Sequence, residues 1–277
     1  MRFNKAYVEI TNMCNLACPF CHGTGREKRF ITVPDFKTAA ERLRPFTEYI
    51  YLHLMGEPLL HPSLGEILDV CASLGFKVSV TTNGTMLREK TELLMSSAAM
   101  YKISVSLHSF EVNPVGSLRG YLNGVCAAAF KARANGILFS MRLWNEGGDN
   151  VKNGEIKELL SEFFPPPHKE NRCGITLADG VFLEYGVRFE WPDADGCAKN
   201  VRFCKGLRDQ IGVLCDGTVV PCCLDAEGDI ALGNIFTDDL NEILSSDRAR
   251  SIINGFSEGR AAEKLCRTCG FAENRFG

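Results

Sequence analysis

The sequence predicts an α/β fold: a partial, TIM-like (β/α)6 barrel followed by a small cysteine-rich α+β extension. Three observations carry that reading. Short β-rich runs alternate with longer helical patterns over the first two-thirds of the chain, as parallel βαβ units do. The 277 residues suit one barrel-sized domain or two smaller ones. Past Pro192 the chain turns loop-rich (PDADGCAKN), and most of the remaining cysteines lie beyond that point.

Taken in order, residues 7–11 (YVEIT) read as a first strand and 34–44 as a helix with proline near its first turn. Residues 49–54 (YIYLHL) read as a second strand, followed by a helix over 63–74 that stops at Gly75. Strands over 77–82, 102–107 and 137–143 continue the series, with helices over 87–97 and 120–135 between them. A helix over 155–164 ends at the Pro165–Pro167 run, which cannot extend it. Residues 175–177 and 181–191 compete for the place of sixth strand. The division falls near residue 195, giving a barrel over 1–195 and an extension over 196–277. Within the extension a hairpin is expected at Asp216–Gly217 and a helix over 239–254.

Composition narrows the function. With 45% apolar and 23% charged residues the chain has ample material for a core, which argues against disorder. A net charge of −3 offers no general basic surface for nucleic acid. No run approaches a membrane span, and the start (MRFNKAYVEITNMCN) has no apolar signal region. Thirteen cysteines, an odd number, cannot all pair within the chain. Metal or iron–sulfur ligation in a reducing, cytoplasmic setting is the expectation.

Cys14, Cys18 and Cys21 form C-x3-C-x2-C directly after the first strand. At this cysteine frequency the triplet arises by chance in roughly 0.03 of such chains. Structural zinc takes four protein ligands, whereas a cubane has four irons to ligate, so three cysteines leave one iron open for a substrate or cosubstrate. A zinc knuckle is the competing, purely structural reading.

The run from Cys14 to Cys21 (CNLACPFC), with Phe20 before the last cysteine, resembles the signature of the radical S-adenosylmethionine (SAM) superfamily. Gly56-Glu57-Pro58 is similar to the family's GGEP segment, with Met55 in place of its first glycine. Thr82-Asn83-Gly84 resembles its TNG segment. Ser104 and Ser106, on the fourth strand, match its ribose- and carboxylate-contacting position, although His108 replaces the usual acid and inherits no role. The resemblance implies a [4Fe–4S] cluster on the three cysteines. It also implies SAM held by Phe20, Gly56, Glu57, Asn83, Ser104 and Ser106, and by Arg142, whose fork suits the SAM carboxylate. The resemblance further implies that a radical formed from SAM abstracts hydrogen from substrate, with reduced flavodoxin or ferredoxin as the electron donor.

In the tail, DGTVVPCCLD (216–225) and LGNIF (232–236) resemble the SPASM/twitch extension of the same superfamily. Cys204, Cys222, Cys266 and Cys269 are the expected ligands of one auxiliary iron–sulfur cluster, with zinc as the alternative occupant. Adjacent strand residues point to opposite faces, so Cys223 is not expected beside Cys222 in that set. Cys71 and Cys126 read as buried hydrophobes. Cys197 and Cys215 remain possible replacements in the tail set.

For His53 and His61, packing or loop anchoring is the default. Glu184, Tyr185, Arg188, Glu190 and Trp191 read either as a substrate-facing run or as a half-buried strand. The expected substrate is a small polar molecule undergoing dehydrogenation or C–N or C–C cleavage, of the modified-nucleoside or aminocyclitol type. The alternatives are a peptide or protein substrate, or a non-catalytic metal-binding protein.

Overall fold

A computed structural model describes residues 2–114 and 116–276. Its first five strands are β1 (Lys5–Val8), β2 (Tyr49–Tyr51), β3 (Lys77–Thr82), β4 (Met100–Ser106) and β5 (Leu138–Glu146). Between them run α1 (Val33–Leu43), α2 (Leu64–Ser73), α3 (Leu87–Ser96), the short α4 (Ser109–Val112) and α5 (Leu118–Ala134). Side chains set several ends. Thr32 caps α1 by accepting from the Asp35 N–H, Ser117 caps α5 through Gly120, and Gly75 closes α2 at φ +70°.

Register identifies the sixth barrel strand. After α6 (Asn153–Phe163) come β6 (Lys169–Asn171), β7 (Gly174–Ala178) and β8 (Val181–Val187). β8 pairs parallel with β5, Arg142 opposite Glu184, while β7 runs antiparallel on its far side. Of the two competing segments, residues 181–191 thus supply the barrel strand. It ends at Val187, and Trp191 lies beyond the sheet.

The tail continues the same sheet. β9 (Gln210–Val213) lies parallel to β1, with Ala6 opposite Ile211. The expected hairpin joins β9 to β10 (Thr218–Val220), and β11 (Gly233–Asn234) forms the edge. The strand order is β11-β10-β9-β1-β2-β3-β4-β5-β8-β7-β6, unbroken across residue 195. The helix expected over 239–254 is instead two, α7 (Leu240–Leu244) and α8 (Asp247–Ser257). Ser246 accepts from the Ala249 N–H and starts a second helix where periodicity alone suggested continuation. The chain ends in α9 (Lys264–Arg267) and α10 (Gly270–Phe276). No helix among the described residues is long and apolar enough to cross a membrane.

The strands sort their side chains by parity. Val8, Ile50, Val80, Val105, Met141 and Leu183 face the helices and form the core. The opposite, concave face carries Lys5, Tyr7, Ser79, Lys102, Ser140, Arg142 and Glu184, so the barrel lumen is polar.

One residue past β1, Glu9 is fully buried and gathers donors from three directions. Arg26 grips both its oxygens at 2.7 and 2.8 Å, and the backbone N–H groups of Met55 and Cys215 donate at 3.2 Å each. The Cys215 thiol adds a contact at 2.8 Å. Arg26 also donates to the Ala226 carbonyl at 2.8 Å. Removing one partner of such a pair strands a buried charge. Arg26→Met is expected to cost about 3–5 kcal/mol in anaerobic urea denaturation. Adding Glu9→Gln to that variant should recover part of the loss; equal stability of Arg26→Met and wild type would contradict the role of the pair.

Candidate active site

At the C-terminal ends of parallel barrel strands, loops distant in sequence face one space. Here the cysteine loop follows β1, the Gly56-Glu57-Pro58 loop follows β2, Asn83 follows β3, and Ser109–Val112 follows β4. Hydrogen bonds join all four. The Glu57 N–H donates to the Met13 carbonyl at 2.7 Å. Gly56 must be glycine, because its φ is +76° and a Cβ there would lie 2.5 Å from the Thr11 carbonyl oxygen.

Glu57 is buried, and its two oxygens accept from the Leu59 N–H at 3.1 Å and the Asn83 N–H at 2.7 Å. This carboxylate therefore braces the second and third loops against each other. Burial pushes its pKa up to about 7, opposed by the hydrogen bonds from Asn83, Thr82 and Leu59. The Asn83 side chain donates to Asn15 at 2.9 Å, and its carbonyl accepts from the Tyr121 hydroxyl at 2.8 Å.

The thiols of Cys14, Cys18 and Cys21 share the first loop, exposed or partly so. Burial, then the neighbouring Cys21 and Cys14, push Cys18 up to about 11. Sulfur also finds N–H donors: Leu16 N–H to Cys14 at 3.5 Å, and the Asn113 amide to Cys18 at 3.1 Å. Asn113 in turn accepts from the Ala17 N–H at 3.2 Å. Such donors orient cluster-ligating thiolates and tune them. Sequence reasoning missed Asn113, which lies 95 residues from Cys18 in a loop without a motif.

Among the described residues, no three His, Cys, Asp or Glu side chains converge as ligands of a single metal ion. A cubane distributes its cysteines over separate irons, and the all-thiol donor set with its N–H···S contacts fits such a group.

Phe20 packs against His108 with ring centroids 5.0 Å apart, and its carbonyl accepts from the Trp191 indole at 2.9 Å. Trp191 thereby holds the cysteine loop, and its ring stacks on His22. Ser104 is buried on the concave face, and the Ser106 carbonyl accepts from the Ser109 hydroxyl at 2.7 Å. Arg142 lies over the Trp144 ring, 3.5 Å from Glu184. Of the 184–191 run, Glu184 enters the lumen, where Lys102 meets it at 3.0 Å. Arg188 pairs with Asp149, and Glu190 with Lys199. His61 anchors a loop through the Ile31 carbonyl.

In the tail, Cys222 lies in the field of Cys204, Cys223 and Cys266, and Cys266 in that of Cys204 and Cys269. Burial is the first cause of the raised pKa at each, and it pushes Cys269 up to about 11. Cys223 turns toward the lumen and packs with Tyr7, Leu54, Leu214 and Val220. Cys215 is committed to Glu9. Cys71 and Cys126 are buried in helices α2 and α5. Beside the lumen, a cleft of about 660 Å³ is lined by Trp144, Tyr185, Phe189, Phe271 and Arg275 among others.

The model of the Radical SAM superfamily matches residues 8–152, and that of the SPASM iron–sulfur cluster-binding domain matches 204–270. GTP 3',8-cyclase of Aquifex aeolicus (strain VF5) is 33% identical over 206 residues, covering 66% of this chain and 58% of the relative. The antilisterial bacteriocin subtilosin biosynthesis protein AlbA of Bacillus subtilis (strain 168) is 32% identical over 118 residues, 42% of this chain and 26% of the relative. The chain thus spans less than two-thirds of the length of these relatives. In fold it resembles BtrN in complex with AdoMet and 2-DOIA, with TM-score 0.65, 20% identity, and coverage of 97% of this chain and 93% of that one. Streptococcus suis SuiB also gives 0.65, at 15% identity, covering 98% and 72%.

The raised Glu57 pKa has a signed consequence. Its folded value lies above its unfolded one, so the stability it contributes is full below about pH 4.5 and is lost as pH rises through about 7. His53 and His108, pushed down by burial to about 3 and about 4, act in the opposite sense as pH falls. Comparing Glu57→Gln with wild type isolates the carboxyl. From about pH 5 to 8 in thermal melts, the wild type should lose stability relative to the variant; a constant gap would contradict the shift.

Proposed function

Because the chain belongs to the radical SAM superfamily, we propose that it cleaves SAM reductively and uses the resulting radical to take hydrogen from a small polar substrate in the barrel lumen. The observation that carries this is the hydrogen-bonded convergence of the cysteine loop, Glu57, Asn83 and the β4 end over a polar concave face. When bound, the cluster and SAM supply one-electron cleavage of the C5′–S bond and a hydrogen-abstracting radical.

In this reading Cys14, Cys18 and Cys21 hold the [4Fe–4S] cluster. Phe20, Gly56, Glu57, Asn83, Ser104, Ser106 and Arg142 bind and orient SAM. Glu57, already fixed by two backbone donors, offers a preset carboxylate rather than a mobile one. Cys204, Cys222, Cys266 and Cys269 hold an auxiliary cluster in the unit 196–277, which is joined to the barrel unit 1–195 through the β9–β1 pairing. Reduced flavodoxin or ferredoxin in the cytoplasm donates the electron.

Dehydrogenation or C–N or C–C cleavage of a small polar molecule suits the lumen and the neighbouring cleft, whose volume is that of a small-molecule pocket. The relation to the subtilosin biosynthesis protein favours a second reading, with a peptide as substrate. A non-catalytic metal carrier leaves the convergence of Glu57 and Asn83 on the cysteine loop without a purpose.

Two variants separate the roles of the cysteine groups. Under anaerobic conditions with dithionite and SAM, Cys18→Ala should abolish 5′-deoxyadenosine formation. Cys266→Ala should retain it while losing substrate conversion. Chromatography of the products reads both. Normal SAM cleavage by Cys18→Ala would overturn the assignment of the first site, and normal turnover by Cys266→Ala that of the second.

A further inference from the structure

The concave face holds charge that its own residues do not balance. Lys5 opens β1 with its side chain turned inward, its Nζ 5.0 Å from the Tyr7 ring centroid and 4.9 Å from that of Tyr51. Among the described residues it has no carboxylate partner. Lys102 and Arg142 share the single carboxylate of Glu184, and Glu9 is occupied by Arg26. Three cations thus face the one carboxylate of Glu184. A half-buried ammonium without a counter-ion is costly, and burial accordingly lowers the Lys5 pKa.

A second observation points to the same place. Buried polar side-chain atoms in proteins normally have hydrogen-bond partners. The atoms without one include His53 Nδ1 and Trp144 Nε1, both on this face. His53 stands edge-on to Tyr7 at 5.4 Å, the ring that Lys5 also faces, so His53 Nδ1 lies near Lys5. Both atoms are left for something polar that the chain does not provide.

We propose that Lys5 is a substrate-binding residue that takes an anionic group, a phosphate ester or a carboxylate, with Tyr51 and His53 beside it. The group would sit at the deep end of the lumen, about 13 Å below Glu9 by strand rise. Cys223 of the tail lies next to it, close enough to act electrostatically on Lys5. The reacting part of the substrate then points up toward the cysteine loop. This inference rests on the lumen being the substrate site of the proposed enzyme.

The test uses anaerobically reconstituted, SAM-loaded protein, titrated calorimetrically with inorganic phosphate in one arm and acetate in the other. One anion per chain should bind in at least one arm, and the arm identifies the class. Affinity should fall about ten- to a hundredfold in Lys5→Met and be largely kept in Lys5→Arg. As a check independent of the variants' folding, the bound anion should slow acetylation of Lys5 in wild type, read by mass spectrometry, and leave exposed Lys37 unaffected. Binding of neither anion, equal affinity in Lys5→Met, or no protection of Lys5 would overturn the proposal. 5′-Deoxyadenosine formation by the same wild-type sample is recorded separately, so failure of the enzyme reading is distinguishable from failure of the anion site.

Discussion

The carboxylate of Glu9 is the constraint on which the arrangement of the site depends. It sits just past β1 with no exposure to water, where an isolated charge would be untenable. Five donor contacts make it tenable, and they come from the cysteine loop (Arg26), the loop after β2 (Met55) and the tail (Cys215). Each donor's segment is held because the charge has no other solvent. Glu57 repeats the device one loop further on, joining the Gly56-Glu57-Pro58 loop to Asn83. Two buried carboxylates thus fix the floor on which the cysteine loop rests.

That floor connects the two cysteine groups. The tail's β9 lies against β1, and Arg26 reaches the Ala226 carbonyl, close in sequence to Cys222. Cys223, the neighbour of Cys222, looks into the lumen beside Tyr7. The lumen therefore has the cysteine loop at its mouth and the tail along one wall. Its lining is polar because strand alternation gives the apolar residues to the helix-facing side and leaves lysines, serines, tyrosines and an arginine inside.

Much of this was legible in the sequence. The strand–helix alternation gave the barrel, because each element carries its own period and its own caps. The short motifs stood at strand ends, and the structure brings Cys14, Glu57 and Asn83 into one network. What was not legible depended on distant partners. Glu9 reads as one polar residue of an alternating strand, and nothing local announces Arg26 or Cys215 as its partners. Asn113 lies in a loop without a motif. Residues 210–220 show a hairpin locally, but the parallel pairing of β9 with β1 joins segments about 200 residues apart. The break between α7 and α8 was missed because Ser245-Ser246 interrupts an otherwise continuous helical pattern with a cap. Residues 175–177 and 181–191 both had strand character, and only their register against β5 separates them.

The most direct measurement is iron, sulfide and zinc per chain after anaerobic reconstitution, with 5′-deoxyadenosine assayed in the same sample after dithionite and SAM. Two cubane clusters require about eight irons per chain together with SAM cleavage. Zinc alone, with no 5′-deoxyadenosine, would contradict a radical site built on Cys14, Cys18 and Cys21.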